Sequence, residues 1–316
     1  MISFENVTKK YADGTYAVKE FKLHIKEGEF LVLIGPSGSG KTTTLKMINR
    51  LIPISEGTIK INDKSINDYN IHELRWDIGY VLQQIALFPH MTIEENIAVV
   101  PEMKKWEPSK INQRVEELLN MVGLDPKTYR NRKPHELSGG QQQRIGVARA
   151  LAANPSIILM DEPFSALDPI SREKLQDDLL ELQTKIKKTI VFVTHDMNEA
   201  LKLGERICLM RDGEIVQTGT PEELRNEPVN EFVREFVGIE TAGEKTFDIG
   251  KGLTLLNPDE QMDNLPRITL VTPMNKLILL LSEHETLAVE EKGELIGTIN
   301  RQGFIRAFSA QMEVNQ

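Results

Sequence analysis

The sequence has 316 residues, 40% of them hydrophobic and 27% charged, with a formal net charge of −9 at pH 7. That supplies apolar material for a packed core and length for two domains, or for one large domain with an appendage. The acidic balance argues against a broad nucleic-acid surface, and a lone cysteine, Cys208 in the apolar run RICLM, excludes a disulfide framework and points to a buried thiol in a reducing compartment.

The opening MISFENVTKKY has no long apolar run and no cleavage site, which predicts no signal peptide. Residues 3–9 and 21–25 alternate as half-buried strands do. Glu29–Ile34 (EFLVLI) is a compact apolar run ending at glycine, the pattern of a buried parallel strand. Thr58–Ile61 alternates again. From about Phe88 to Leu151 the period turns helical, with Val115, Leu118, Leu119 and Val122 on one face. Ile157–Met160 and Ile190–Val193 are two more buried-strand runs. Between them Leu175, Leu179, Leu182 and Ile186 mark a helix, started by Asp168 as N-cap and Pro169 in the first turn. Ile207–Met210 and Glu214–Gln217 flank Asp212–Gly213, a hairpin signal. Strands alternating with helices predict a parallel α/β sheet, interrupted by a helical insert at about 88–150. After about Gly238 the composition turns polar and loop-like (TAGEKTFDIGKG), so a domain boundary falls near 238–245. Short strands follow in ITLV, TLAVE and ELIGTI. No stretch approaches the roughly 18 apolar residues that span a bilayer; the longest aliphatic patch is Leu277–Leu281.

Two segments are built to receive anions. Residues 35–42, GPSGSGKT, fit G-x-x-x-x-G-K-[ST] with a buried strand before them and a helical run after them. Gly35, Pro36, Ser37, Gly38, Ser39 and Gly40 would let backbone N–H groups converge on phosphate oxygens, with Lys41 as a point charge on the same oxygens, the Thr42 hydroxyl able to ligate Mg²⁺ and Thr43 in the following turn. Residues 137–151, LSGGQQQRIGVARAL, set Ser138, Gly139, Gly140 and Gln141 at a helix start, a second seat for an anion. Ile157–Met160 ends in Asp161–Glu162, and ligands of open α/β sheets gather at the carboxyl ends of strands. Asp161 is placed to hold Mg²⁺ through water, and Glu162 to take a proton from an attacking water. His195 ends the other buried strand, TIVFVTHD; from chemistry alone it is as readily a solvated strand-end side chain as a sensor of the γ-phosphate.

In order, GPSGSGKT, LSGGQQQ, IILMDEP and VTHD resemble the nucleotide-binding subunit of ABC transporters over about residues 1–238. The LSGGQ element just ahead of the strand-Asp-Glu is specific to that family, whereas a bare phosphate loop is not. The resemblance implies an α/β fold of the P-loop NTPase ABC type: a parallel core sheet, an N-terminal antiparallel β-subdomain and a helical insert. It implies ATP as substrate with Mg²⁺, and Tyr11 (KKYADG) stacked on adenine, though Tyr11 is also readable as a plain hairpin-loop tyrosine. It makes Gln83, in YVLQQIALFPH, the residue that contacts Mg²⁺ and reports nucleotide state to a membrane partner. Gln84 is its neighbour, and Gln83 is taken because it directly follows the apolar strand. The resemblance assigns Asp168 to the loop that crosses to a second subunit and His195 to the γ-phosphate switch. It implies a head-to-tail homodimer in which Ser138, Gly139 and Gly140 bind the γ-phosphate held by the Lys41 of the other copy, closed by ATP and opened by hydrolysis.

Within that family, a single set of motifs excludes two-cassette translation proteins. The gap of about a hundred residues from Lys41 to Leu137, without sustained heptads, excludes the coiled-coil chromosome ATPases. Exporters usually fuse their membrane spans, which are missing here. An importer subunit remains, peripheral on the cytoplasmic face of the membrane, with integral-membrane permease subunits docked near 88–130 and an extracellular substrate-binding protein or domain as partners, and no nucleic acid. DIGYVLQQIALFPHMTIEENIAVVP looks like the ATPases of glycine betaine, carnitine and choline importers. A polyamine, sugar or amino-acid importer, or a soluble non-transport ATPase, is the alternative. In the C-terminal domain, 239–316, TLAVEEKGELIGTINRQGFIRAF resembles the second half of a CBS motif, giving one copy at about 264–309 within a small α+β domain that either senses a ligand or only stabilises a dimer.

Overall fold

The computed structural model describes residues 1–83, 86–165, 167–238, 249–255, 265–270, 272, 274–291 and 294–313. It divides the chain into two compact units, Met1–Val237 and Gly238–Gln316.

The first unit opens with strands β1 (Ile2–Lys10), β2 (Tyr16–Ile25) and β3 (Phe30–Ile34), and the GPSGSG loop leads into helix α1 (Lys41–Ile48). β4 (Glu56–Ile61), β5 (Lys64–Ser65), α2 (Ile71–Trp76) and β6 (Ile78–Val81) precede a run of helices: α3 (Ile93–Met103), α4 (Pro108–Met121), α5 (Pro126–Tyr129) and α6 (Gly139–Leu151). Then come β7 (Ile157–Asp161), α7 (Pro169–Ile186), β8 (Thr189–Thr194), α8 (Met197–Leu203), the hairpin β9 (Arg206–Arg211) and β10 (Glu214–Gly219), α9 (Pro221–Asn226) and α10 (Glu231–Val237).

The central sheet has the order β10-β9-β3-β8-β7-β6. β9, β3, β8, β7 and β6 are parallel, and β10 closes the edge as an antiparallel hairpin. β3 is buried at every residue because both faces of the sheet are covered. Its alternation is still legible: Phe30, Val32 and Ile34 enter a core built with the helices, while Leu31 and Leu33 enter a second core beneath the N-terminal strands. Those strands form an antiparallel sheet, β2-β1-β4-β5.

Three helix starts of the insert region show how local chemistry fixes the chain. Thr92 caps α3 and Ser138 caps α6, each in a reciprocal capping box with the residue three positions on, Glu95 and Gln141. Pro108 opens α4, whose buried Ile111, Val115, Leu118 and Leu119 follow the helical period. The insert is held to the rest of the unit by Arg144, which donates to the Val122 carbonyl at 2.7 Å and pairs with Asp178 of α7.

The second unit contains β11 (Thr254–Leu255), β12 (Arg267–Thr269), α11 (Met274–Glu283), β13 (Thr286–Glu291), β14 (Glu294–Asn300) and α12 (Arg301–Glu313), with sheet order β11-β14-β13-β12. The aliphatic patch Leu277–Leu281 lies in α11, where Leu277 and Leu281 are buried. One feature differs from the sequence reading. Ile249–Gly252 is a short 3₁₀ turn rather than loop, because Ile249 is fully buried in the core of this unit. Within the C-terminal stretch 239–316, β11 pairs with β14, so 249–255 packs with the stretch at 264–309. Among the described residues no helix is long and apolar enough to cross a membrane.

Candidate active site

The carboxyl ends of four neighbouring parallel strands, β3, β8, β7 and β6, deliver the GPSGSG loop, His195, Asp161–Glu162 and Gln83 to one edge of the sheet. This is where an open α/β sheet receives its ligand.

The loop after β3 is shaped by glycine. A Cβ on Gly35 would lie 2.0 Å from the Met210 carbonyl oxygen, and one on Gly40 2.2 Å from that of Ala17. Both residues have positive φ, 152° and 99°, so no larger residue fits either position. Lys41 is the first residue of α1 and only 5% exposed. Its ammonium donates to the carbonyls of Gly35 (2.8 Å) and Pro36 (2.9 Å) and approaches the Ser39 hydroxyl at 3.4 Å. Burial pushes the Lys41 pKa down, opposed by the nearby carboxylates of Glu162 and Asp161. Ser39 is buried with its N–H on the Pro36 carbonyl, whereas Ser37 is exposed and Thr43 half-buried in the first turn of α1.

Asp161 ends β7. Its Oδ1 accepts from the Thr42 hydroxyl at 2.8 Å, and its Oδ2 accepts from the Tyr80 hydroxyl at 3.4 Å. Burial and then the Asp161 charge push the Tyr80 phenol well above its ordinary pKa, so it remains a donor. Sequence reasoning missed Tyr80. Its only signal was membership of the short apolar run that ends just before Gln83.

Glu162 has φ 44°, the left-handed region, which is uncommon for a residue with a side chain. The conformation is held by bonds on both sides: its N–H donates to the Val193 carbonyl at 3.0 Å, and its carbonyl accepts from the Ser165 hydroxyl at 3.0 Å. The turn aims the side chain back at the strand ends, where Oε2 lies 3.2 Å from Gln83 Nε2 and 3.1 Å from His195 Nδ1. Both contacts fall on one oxygen, and among the described residues no donor reaches Oε1. Gln83, Glu162 and His195 are therefore brought together, and Lys41, Thr42 and Asp161 stand beside them. Gln84 lies outside the described residues.

Tyr11 sits in the turn after β1, 41% exposed, with the Lys9 ammonium 5.0 Å from its ring centre. Its hairpin adjoins the phosphate loop through the Ala17 carbonyl beside Gly40. Asp168 caps α7 by accepting from the Ser171 N–H at 3.0 Å, and the bonds from Ser171, side chain first, hold its carboxyl below the usual range. No hydrogen bond joins Ser138, Gly139, Gly140 or Gln141 to the Glu162 cluster. Ser138 and Gln141 bond each other, and Gln141 Nε2 also donates to the Tyr129 hydroxyl at 3.0 Å. Unlike Gly35 and Gly40, a Cβ on Gly139 or Gly140 would meet nothing among the described residues closer than 4.0 Å and 3.9 Å.

The chain matches the family model described as ABC transporter over residues 18–165. It is 49% identical over 311 residues to an osmoprotectant import ATP-binding protein of Salmonella typhimurium, spanning 96% of this chain and 80% of that one. It is also 49% identical over 308 residues to a glycine betaine/carnitine/choline transport ATP-binding protein of Bacillus subtilis, spanning 98% of this chain and 78% of the relative. Among solved structures, an ATP-binding cassette seen as a dimer in a post-hydrolysis state with ADP and Pi is similar with a TM-score of 0.63 and 42% identity, over 70% of this chain and 99% of that one. Likeness at this level along almost the whole sequence makes the chain a member of the ABC transporter family, among its ATP-binding subunits.

Proposed function

We propose that the chain hydrolyses ATP to energise import of quaternary ammonium osmoprotectants of the glycine betaine, carnitine and choline type. The observation that carries the hydrolytic part is the Glu162 carboxylate, held at one oxygen by Gln83 and His195 beside the Lys41 loop. The solute class rests on the near-full-length likeness to ATP-binding proteins named for those solutes.

In this reading Lys41 exchanges its bonds to the Gly35 and Pro36 carbonyls for the β- and γ-phosphates. Thr42 and Asp161 offer a hydroxyl and a carboxylate in mutual contact, an all-oxygen set that suits Mg²⁺, which keeps most of its shell as water and phosphate oxygen. An ion held there would neutralise phosphate charge, and the Gln83 amide oxygen would be a further donor to it. A water in line with the γ-phosphorus gives its proton to Glu162 Oε1 while Oε2 stays anchored. The transition state is loose, so orientation of that water matters more than base strength. His195 turns Nδ1 to Glu162 and leaves Nε2 on the γ-phosphate side, where that nitrogen must carry a hydrogen to donate to a phosphate oxygen. Tyr11 covers the adenine.

Ser138, Gly139 and Gly140 serve the ATP of a second copy. Nothing among the described residues requires glycine at 139 or 140, which supports an approach from outside the chain. Asp168 crosses to the same partner. The subunit is peripheral at the cytoplasmic face, with membrane permease subunits docked on the helical insert and an extracellular binding protein delivering solute. The strand-helix-strand-strand-helix order of β12 to α12 is the reading behind a single CBS-like motif in the second unit.

Uptake of labelled betaine, carnitine and choline at raised osmolarity tests this, in cells carrying the chain, lacking it, or carrying Glu162→Gln. Uptake of at least one solute only with the unaltered chain is expected. Equal uptake in all three strains refutes the solute class.

A further inference from the structure

The His195–Glu162 contact joins two segments that come from different strands, and something behind it must fix their spacing. On one side, Glu162 begins a string of turns: Ser165 bonds back to the Glu162 carbonyl, and the Leu167 N–H donates to the Phe164 carbonyl at 3.1 Å. The string ends at the Leu167 carbonyl, just before the α7 cap at Asp168. On the other side, His195 lies between Thr194 and Asp196. The Thr194 hydroxyl donates to Glu199 Oε2 at 2.6 Å and accepts from the Asp196 N–H at 3.0 Å. Asp196 in turn caps α8.

One side chain spans the gap between these segments. Arg172, in the first turn of α7, donates from Nη2 to the Leu167 carbonyl at 3.2 Å. Its Nη1 lies 3.7 Å from Asp196 Oδ2, and its Nε 3.9 Å from Glu199 Oε1. Both distances are ion pairs rather than hydrogen bonds, and Nε is buried with no hydrogen-bond partner among the described residues. Glu199 is 5% exposed, so its charge has little water to answer it and depends on Arg172, Thr194 and the Gln176 amide at 3.4 Å.

We propose that Arg172 is a positioning residue for hydrolysis, its guanidinium clamping the Glu162–Leu167 turns to the His195 turn as one body. The contacts close a ring: Glu162, the turns to Leu167, Arg172, Asp196 and Glu199, Thr194, His195, and back to Glu162. Arg172 touches none of the reacting groups and acts by holding the His195–Glu162 distance from behind. A lysine supplies the charge without the fork that reaches three groups at once. The inference rests on the ATPase reading given above.

Steady-state ATP hydrolysis by the full chain tests it, together with the histidine ring NMR signals of the same samples. The His195 signal is assigned by its loss in His195→Ala. For Arg172→Gln the expected result is a kcat lower by ~10-fold or more with KM for ATP within about two-fold, because the phosphate loop is untouched. The His195 ring signal moves while the other histidines stay, and Arg172→Lys falls between the two. Unchanged kcat, an unmoved His195 signal, or a rise in KM that matches the fall in kcat overturns the proposal. Should Arg172→Gln fail to fold, Glu199→Gln is read by the same criteria. If Glu162→Gln stops turnover while Arg172→Gln runs at full rate, only this inference falls; an unaltered chain with no turnover sinks both.

Discussion

Gly139→Ala separates what the fold needs from what a partner needs. The residue is exposed at the start of α6, has no positive φ, and among the described residues an added Cβ would meet only Leu167 Cδ2, at 4.0 Å. Alanine at a compatible position restricts the unfolded chain more than glycine does, which stabilises the fold by about 0.4–1 kcal/mol. For a unit of this size that is a rise in Tm of about 1–4 °C. The same methyl group stands where the γ-phosphate of a second copy would approach the backbone, so ATP-driven dimer formation should be lost. Gly40→Ala is the opposite case: φ is 99° and the Cβ falls 2.2 Å from the Ala17 carbonyl oxygen, so stability drops by ~1–3 kcal/mol. Calorimetry gives the first quantity, and analytical ultracentrifugation with ATP gives the second, in a Glu162→Gln background to stop turnover. A Gly139→Ala chain that is less stable than the parent shows that the space around α6 has been misjudged. One that is more stable and still dimerises normally shows that no partner phosphate uses this seat.

Glu162→Gln should bind ATP normally and accumulate a nucleotide-loaded dimer, with kcat down by ~10²–10⁴; near-normal turnover in a phosphate-release assay rules out the general-base role. Ser138→Arg should leave ATP binding by the monomer intact, as read by fluorescent-nucleotide titration, while abolishing the ATP-driven dimer and costing about 1 kcal/mol of stability through the lost cap. Arg130 forks onto Glu94, and this hydrogen bonding holds the Glu94 carboxyl below its ordinary range. A depressed folded pKa stabilises above the unfolded pKa and is lost as pH falls through the folded one. Glu94→Gln should therefore be less stable than the parent in urea at pH 6, with the gap closing below about pH 4; a gap that does not change with pH refutes the ion pair as its source.

The parts of the site that were legible in the sequence are those written in one contiguous stretch. FLVLI had to be a buried strand because no half-exposed surface tolerates such a run, and the glycine spacing after it marks the loop. The α7 period and its Asp-Pro start were equally local. What escaped was set by sheet order. Tyr80 reaches Asp161 only because β6 pairs with β7, a neighbour made by a crossover of many residues. The left-handed turn at Glu162 leaves no mark in residue type, since glutamate does not favour it. Arg172 and Glu199 meet because α7 and α8 flank the same strand end, and no spacing rule links them. Ile249 was hidden by polar neighbours, although it fills the core of the second unit. α11 is too uniformly aliphatic at ILLL for a period to show.

The α6 cap carries a directional preference. A hydroxyl has lone pairs and a single hydrogen, and the Gln141 N–H occupies the lone-pair side of Ser138 Oγ. The helix thus takes one lone pair of the serine, and among the described residues the hydroxyl hydrogen has no acceptor. Asparagine or aspartate would cap α6 about as well, but aspartate would show a visiting anion a second negative oxygen. Serine caps the start of α6 and still keeps a hydrogen to give, so a requirement of folding also sets the polarity of the surface that a second copy would meet.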